Sequence, residues 1–462
     1  MNRSEEVNLH DVSSAGAFAR SAPEMERDAS ISVTESRQRE SKKKRALVLL
    51  GASISQLPIW GFAMSYGVFQ EYYYDNWTLE GSRDVTGIIG TTSNGVMYLS
   101  MPFLFALFTK RWAARRRLAA LCGAALTCLS FVLSSFSTHV WQLVATQGVL
   151  TALGCTLVFS PTTLSLGEWF NTSNRALAYG VTLSCKNIVG SACPFLFRAL
   201  LDQFGFVTTL RIWAGIAVGT GVLSIFLVPP HPSSLSSDNR RDRKIPWEFL
   251  RHPKFWIYAV AIVSQSAGYG IPQTYLSTYA REVTSLSQTS ATLLLTIFNV
   301  PGILSSSFFG FLCDNKYLSL SATTVTFISA MSSALSALLL WGLTSKGSLA
   351  LLILFSMTFG FFAGGYSATW GGIINELEDE ASRKNEAIDS GMVYGLLNGA
   401  RGIGYVSGGL ASVPLLKAGS GISLGSFGYG SSYGPLIIFT GLSSVFGGWG
   451  LLWNGGKWLH ML

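Results

Sequence analysis

The chain has 462 residues, 49% of them hydrophobic and only 13% charged, against about 25% charged in ordinary soluble domains. Glycine (48) and tryptophan (13) are frequent, a balance foreign to soluble enzymes and ordinary in multi-span membrane proteins. The net charge of +8 does not point to nucleic acid, because the basic residues sit in short segments between apolar runs.

Residues 1–41 are polar and Ser-rich and lack the apolar run a core needs, so a disordered tail is expected. They also lack the apolar core of a cleavable signal peptide. Lys42, Lys43, Lys44 and Arg45 then abut the first apolar span. Twelve spans of roughly 19–25 residues follow, each long enough to cross a bilayer. They fall near 46–69, 85–108, 118–136, 139–163, 176–200, 209–229, 255–279, 290–312, 319–341, 348–373, 391–414 and 435–455. The expected fold is an all-α membrane protein with twelve transmembrane helices in two pseudo-symmetric six-helix bundles. A bundle at 42–229 and a bundle at 255–457 flank a Pro-, Ser- and Arg-rich linker at 230–254, and 458–462 form a short C-terminus.

The positive-inside rule orients the chain. With the N-terminus in the cytosol, inner segments hold roughly 22 basic residues and outer ones 6. Both termini, the tail and the linker are then cytosolic. Of three N-x-[ST] sequons, Asn2 and Asn171 face the cytosol and stay bare. Asn76 faces outside and is the glycosylation candidate. None of the six cysteines has metal-ligand spacing, and no metal site is expected.

The two halves echo one another at a nearly constant offset of roughly 205–211 residues. Gln56 meets Gln265, Tyr66 meets Tyr275, Asn94 meets Asn299, Gly154 meets Gly365 and Gly180 meets Gly391. Six spans is an even number, so the repeat is parallel, the arrangement of transporters that bind cargo at the midplane between halves.

Lys186 and Arg401 stand in the middle of the fifth and eleventh spans, and no carboxylate is expected well inside any span. Two deep cations facing one cavity would be stabilised by an anionic cargo through charge-assisted hydrogen bonds. The alternative is that each bonds carbonyls, Asn187 or Asn398 and water, and only locks helix packing; Lys186 could also be neutral, its pKa lowered by burial. Substrate-binding candidates are therefore Lys186, Arg401, Asn187, Asn398, Gln56, Gln265, Tyr66, Tyr275 and Asn299, the tyrosines suiting an aromatic ligand. For the polar pairs, bonding between helices is the competing use. Asp314, Arg175 and Asp389, at the inner ends of spans, are candidates for an inner gate. No Walker loop, no H-E-x-x-H and no carboxylate pair appears, so neither an enzyme nor ATP-driven transport is expected.

Several strings resemble the major facilitator superfamily. Gly310-Phe311-Leu312-Cys313-Asp314 resembles its G-x-L-x-D loop motif, and the matching site at Phe105 to Thr109 is degenerate. Trp169-Phe170 with Arg175-Ala176-Leu177-Ala178-Tyr179-Gly180 resembles the signature entering the fifth span of monocarboxylate transporters. Trp60-Gly61, Tyr66-Gly67-Val68-Phe69-Gln70 and Gly395-Leu396-Leu397-Asn398 with Arg401-Gly402-Ile403-Gly404 resemble that family's fungal branch. The acidic-Gly-Gly motif of the first span and the Asp/Arg pair of the eighth are missing, which puts lactate–proton symport of the animal type in doubt. The resemblance implies a secondary transporter of a small organic anion, monocarboxylate-like or larger, by alternating access. Efflux of a secondary metabolite is the alternative, and a non-transporting nutrient receptor is the alternative of another class. Expected partners are that small molecule and the lipid bilayer, with no nucleic acid, and the chain is expected to act as a monomer. The plasma membrane is the expected location and the vacuolar membrane its alternative. No cofactor is expected, and proton coupling is left open.

Overall fold

In hydrocarbon every backbone N–H and C=O must find a partner within its own segment or a closed barrel, and this chain answers with helices. The structure, a computed structural model, describes residues 40–76, 80–81, 85–109, 112–170, 172–230, 247–314, 320–421, 427–451 and 453. The side chains of residues 75, 172–177, 314 and 390 are not among them. The expected tail up to residue 39, most of the linker and the last residues lie outside. The chain divides into two units, Met1–Leu47 and Val48–Leu462. In the first, residues 40–47 are helical and Lys44 pairs with Glu40 at 2.6 Å.

The second unit opens with α1 (Gln56–Met64) and α2 (Tyr66–Asp75), followed by α3 (Gly87–Thr109) and α4 (Arg116–Ser134). A helical turn Val140–Leu143 and a π-helical stretch Val144–Leu150 lead into α5 (Thr151–Trp169), then α6 (Thr172–Leu227). After the linker come α7 (Pro253–Glu282), α8 (Gln288–Asp314), α9 (Ala322–Leu335), α10 (Leu349–Gly365), α11 (Trp370–Arg383), α12 (Ser390–Gly421) and α13 (Gly434–Gly447). The protein is thus an all-α, multi-spanning membrane protein.

Among the described residues, seven helical runs are long and apolar enough to cross a membrane by length and composition. One of them, Ala178–Leu227, has 50 residues, roughly 75 Å of helix and more than twice a hydrocarbon core. It breaks at Gly205, whose φ of 69° and ψ of 178° leave the helical region, so two helices meet there. Helices α3, α7 and α12 are as long but less apolar. Much of each packs on other helices, and α7 is buried along most of its length. Their glycines and polar residues lower mean hydropathy. Large apolar side chains still face outward on these and other helices, as at Phe103 of α3 and Leu304 of α8, 77% and 71% exposed.

The packing follows the repeat. Helix α3 packs on α12 and α6 packs on α8, and these two pairs exchange when the halves are swapped. Glycines make the first contact close: a Cβ on Gly402 would meet the Leu99 nitrogen at 2.6 Å and the Gly95 oxygen at 2.9 Å. On the other pair, Asn299 Nδ2 donates to the Gly190 carbonyl at 3.1 Å and Thr296 Oγ1 to Ser191 at 2.9 Å. Small residues and polar bonds across helices are the usual glue where hydrophobic burial gives no advantage. Gly402→Leu is expected to force the two backbones apart at a cost of about 1–3 kcal/mol. A thermal melt of the detergent-solubilised protein checks this, and a transition unchanged from wild type counts against the close contact.

Candidate functional site

A cavity of about 640 Å³, its open mouth included, lies among α1, α3, α5, α6, α11 and α12. Of its lining residues, Ala52, Leu166, Tyr179 and Tyr394 lie within a few turns of helix ends, and Trp60, Tyr98, Lys186 and Arg401 lie further along theirs. Lys186 is 14 residues into α6 and Arg401 is 11 into α12, roughly 21 and 16 Å along their helices, near half a bilayer or a little more.

The two cations share Tyr98. Lys186 Nζ donates to Tyr98 Oη at 3.4 Å and sits 3.8 Å from the Trp60 ring centroid. Lys186 keeps accessible surface toward the cavity. Arg401 is 7% exposed, with Cζ 5.0 Å from the Tyr98 ring, 5.4 Å from Tyr269 and 5.7 Å from Trp370 and Tyr405. Neither cation pairs with a carboxylate among the described residues. Arg401 Nε has no hydrogen-bond partner there. A desolvated cation–π contact contributes about 2 kcal/mol, while a cation at mid-membrane costs about 2.5–3.5 kcal/mol on the insertion scale. The rings therefore offset much of the cost of burial but leave the cavity with two basic side chains and no acidic one.

The other predicted binding residues separate into two groups. Gln56 and Asn398 line the cavity, each also bonded within its own helix, Gln56 Nε2 to Ala52 at 2.8 Å and Asn398 Nδ2 to Tyr394 at 2.8 Å. Asn187, Gln265, Tyr66, Tyr275 and Asn299 are not in the cavity lining. Asn187 packs against Gly302 and Gln265 against Gly447. Asn299 stitches α8 to α6. Tyr66 Oη donates to the Thr86 carbonyl at 2.5 Å, and Tyr275 bonds Ser412 Oγ at 3.0 Å while packing on Gly87. Their interhelical alternative describes them better. The aromatic residues that do line the cavity, Trp60, Tyr98, Phe159, Tyr179, Trp370 and Tyr394, carry no charge anomaly that would have marked them in the sequence.

Near those helix ends, Tyr179 and Tyr394 place ring centroids 6.2 Å apart, one from α6 and one from α12. Of the expected gate residues, Asp389 caps α12 by accepting from the Met392 N–H at 3.0 Å, the usual service of an Asp at a helix start. The side chains of Asp314 and Arg175 lie outside the described residues. Asn76 is exposed, beyond the end of α2.

No carboxylate was expected well inside a span, and Glu71, just past the predicted end of the first, is nonetheless buried. Hydropathy ends the first span at 69, but α2 continues to Asp75 and holds the Glu71 side chain 2% exposed. Arg198 Nη2 of α6 donates to Glu71 Oε2 at 2.6 Å, and Arg281 Nη1 of α7 to Oε1 at 2.9 Å. Arg198 Nε also reaches Thr292 Oγ1 of α8 at 3.3 Å. Arg198 is 12 residues past Lys186, roughly 18 Å along α6, so this ion cluster lies beyond the cavity floor. Nearby, the loops after α2 and α4 meet, where Glu80 bonds Thr138 and Val140 through its backbone. Arg116, the first residue of α4, is also buried and forks onto Glu168 at 2.7 and 3.1 Å.

Residues 48–409 match the profile described as Major Facilitator Superfamily. Among curated proteins, the chain is 24% identical over 383 residues to the "MFS-type transporter pynF" of Aspergillus niger, covering 82% of this chain and 83% of that one. It is 27% identical over 384 residues to an "MFS-type transporter" of Gibberella moniliformis, covering 81% and 83%. It is 29% identical over 273 residues to "Monocarboxylate transporter 12" of Xenopus laevis, covering 53% of this chain and 58% of that protein.

Proposed function

The chain belongs to the Major Facilitator Superfamily and is a secondary transporter rather than an enzyme, and from that premise we propose that its cargo is an organic anion held between Lys186 and Arg401. The observation that carries this is a cavity with two cations and no acidic or imidazole side chain in its lining. A carboxylate bridging an ammonium and a guanidinium gains charge-assisted hydrogen bonds that the surrounding rings cannot supply. Likeness to proteins named monocarboxylate transporters supports an acid as cargo.

The proposal includes twelve spanning helices in two six-helix bundles, 42–229 and 255–457, joined by 230–254. The sequence repeat and the swapped α3–α12 and α6–α8 packings support it. Lys186 belongs to one bundle and Arg401 to the other, so the anion binds where the bundles meet. With the N-terminus in the cytosol, the cavity opens inward and the Glu71 cluster closes the outside. That is one end state of alternating access. The cavity is complete within one chain, which is sufficient for a functional monomer.

This orientation places Asn76 outside. Treatment of the protein from a eukaryotic membrane with an N-glycosidase is expected to shift wild type and not Asn76→Gln. A glycan on Asn171 instead would invert the topology.

The cargo reading is tested by comparing organic acids inside and outside cells that carry the wild-type gene, no gene, or Arg401→Gln. An acid should redistribute with the wild type alone. Redistribution of only neutral or cationic metabolites would sink the anion reading.

A further inference from the structure

We infer that the cargo is an aromatic acid, a planar ring system bearing the carboxylate, and this rests on the anion reading above. The cavity wall is the reason. Around the two cations stand Trp60, Tyr98, Phe159, Tyr179, Trp370 and Tyr394, whereas the large aliphatic side chains in the lining are only Leu166 and Leu183. A site for a fatty or branched acid would be walled by aliphatic side chains. This one presents ring faces and edges on both sides of the bundle interface.

The rings are arranged for more than holding cations. Phe159 meets Trp60 edge-on, with centroids 6.2 Å apart and planes at 86°. The Trp60 ring faces the Lys186 ammonium, which leaves the Phe159 ring, with no cation over it, facing the cavity as apolar wall. Tyr98, the lining ring beside Arg401, is held from behind by Tyr405, on which it stacks at 5.6 Å and 17°. A planar acid entering past Tyr179 and Tyr394 therefore meets rings along its path, with its carboxylate end arriving at the cations. Aromatic pairs prefer offset-stacked or edge-to-face contacts and gain over aliphatic partners of equal area.

The polar remainder of the wall is hydroxyl and amide, from Gln56, Thr162, Thr163, Thr182, Ser367 and Asn398. These are neutral groups that tolerate oxygen substituents on a ring without demanding charge.

The test uses the purified full-length protein and three probes of similar size: 2-naphthoate, its saturated counterpart decahydro-2-naphthoate, and uncharged 2-naphthylmethanol. Binding is measured by titration calorimetry for wild type, Phe159→Leu and Arg401→Gln, each checked for an intact thermal transition. Wild type is expected to bind 2-naphthoate about tenfold more tightly than the saturated acid. Phe159→Leu keeps an apolar wall without the ring and should shrink that ratio several-fold. Arg401→Gln should weaken both acids together. Equal affinity for the two acids, both dependent on Arg401, overturns the aromatic inference and leaves the anion reading standing. Binding of the alcohol as tightly as the acid, or acid binding indifferent to Arg401, overturns the anion reading and the aromatic acid with it. Absence of saturable binding by either acid overturns both.

Discussion

Glu71→Ala is expected to open the end of the transporter remote from the cavity mouth. Glu71 is shared by Arg198 at 2.6 Å and Arg281 at 2.9 Å, and both it and Arg198 are almost wholly buried. Removing one partner from a buried ion pair leaves an uncompensated charge and costs about 3–5 kcal/mol. That cost falls on the closed arrangement alone, because an opened end lets water reach the arginines. A bias of 3 kcal/mol already changes the ratio of two states by more than about 100-fold. The two arginines should not be equivalent. The Arg198 side chain is 9% exposed and that of Arg281 is 32%. Arg281→Met is therefore expected to act weakly, near the surface-pair range of about 0–1 kcal/mol, and Arg198→Met strongly. Hydrogen–deuterium exchange of α2 and of the C-terminal turns of α7 measures this. Faster exchange there in Glu71→Ala and Arg198→Met, with Arg281→Met near wild type, is the expected order. Unchanged protection in Glu71→Ala would mean the cluster does not hold that end shut.

Arg401→Gln is expected to weaken anion binding by about 10–150-fold, the loss of hydrogen bonds to a charged group at about 1.5–3 kcal/mol. Arg401→Lys should recover part of this and no more. Lysine restores the charge but not the planar fork that matches a carboxylate, and it lies less well among the four rings around Arg401. Lys186→Gln should cost less than Arg401→Gln, because Lys186 keeps contact with the open cavity and with Trp60. Equilibrium binding of a radiolabelled aromatic acid to the three variants ranks them. A Lys variant at 401 that matches wild type would argue against bidentate recognition.

The residues most legible in the sequence were those that violate their surroundings. A lysine and an arginine inside apolar runs are conspicuous, and the structure sets both against one cavity around Tyr98. The repeat was legible for the same reason, and it reappears in the paired packings of α3–α12 and α6–α8. What the repeat does not carry is side-chain direction. Gln56 lines the cavity, yet its counterpart Gln265 packs under Gly447. Such differences are set by how each helix is rotated against its neighbours, which one chain's hydropathy does not encode. The aromatic wall was hidden because tryptophan and tyrosine occur throughout membrane spans and only packing selects the few that meet the cavity. Glu71 was hidden by its position two residues past the end of an apolar window, with Arg198 127 residues away in the chain. Asp389, an acid at a span end read as a gate residue, makes a described hydrogen bond that is a helix cap, a local use that its position alone does not reveal.

The measurement closest to the central claim is a double-mutant cycle on Lys186 and Arg401, read as the affinity of the purified protein for 2-naphthoate. One carboxylate bridging both cations makes them partners in a single interaction, and residues acting on one group couple by about 0.5–3 kcal/mol. Lys186→Gln and Arg401→Gln are each expected to remove much of the affinity, and the double variant little more than Arg401→Gln alone. Wild-type affinity in either single variant, or losses that simply add, would contradict an anion shared between the two halves.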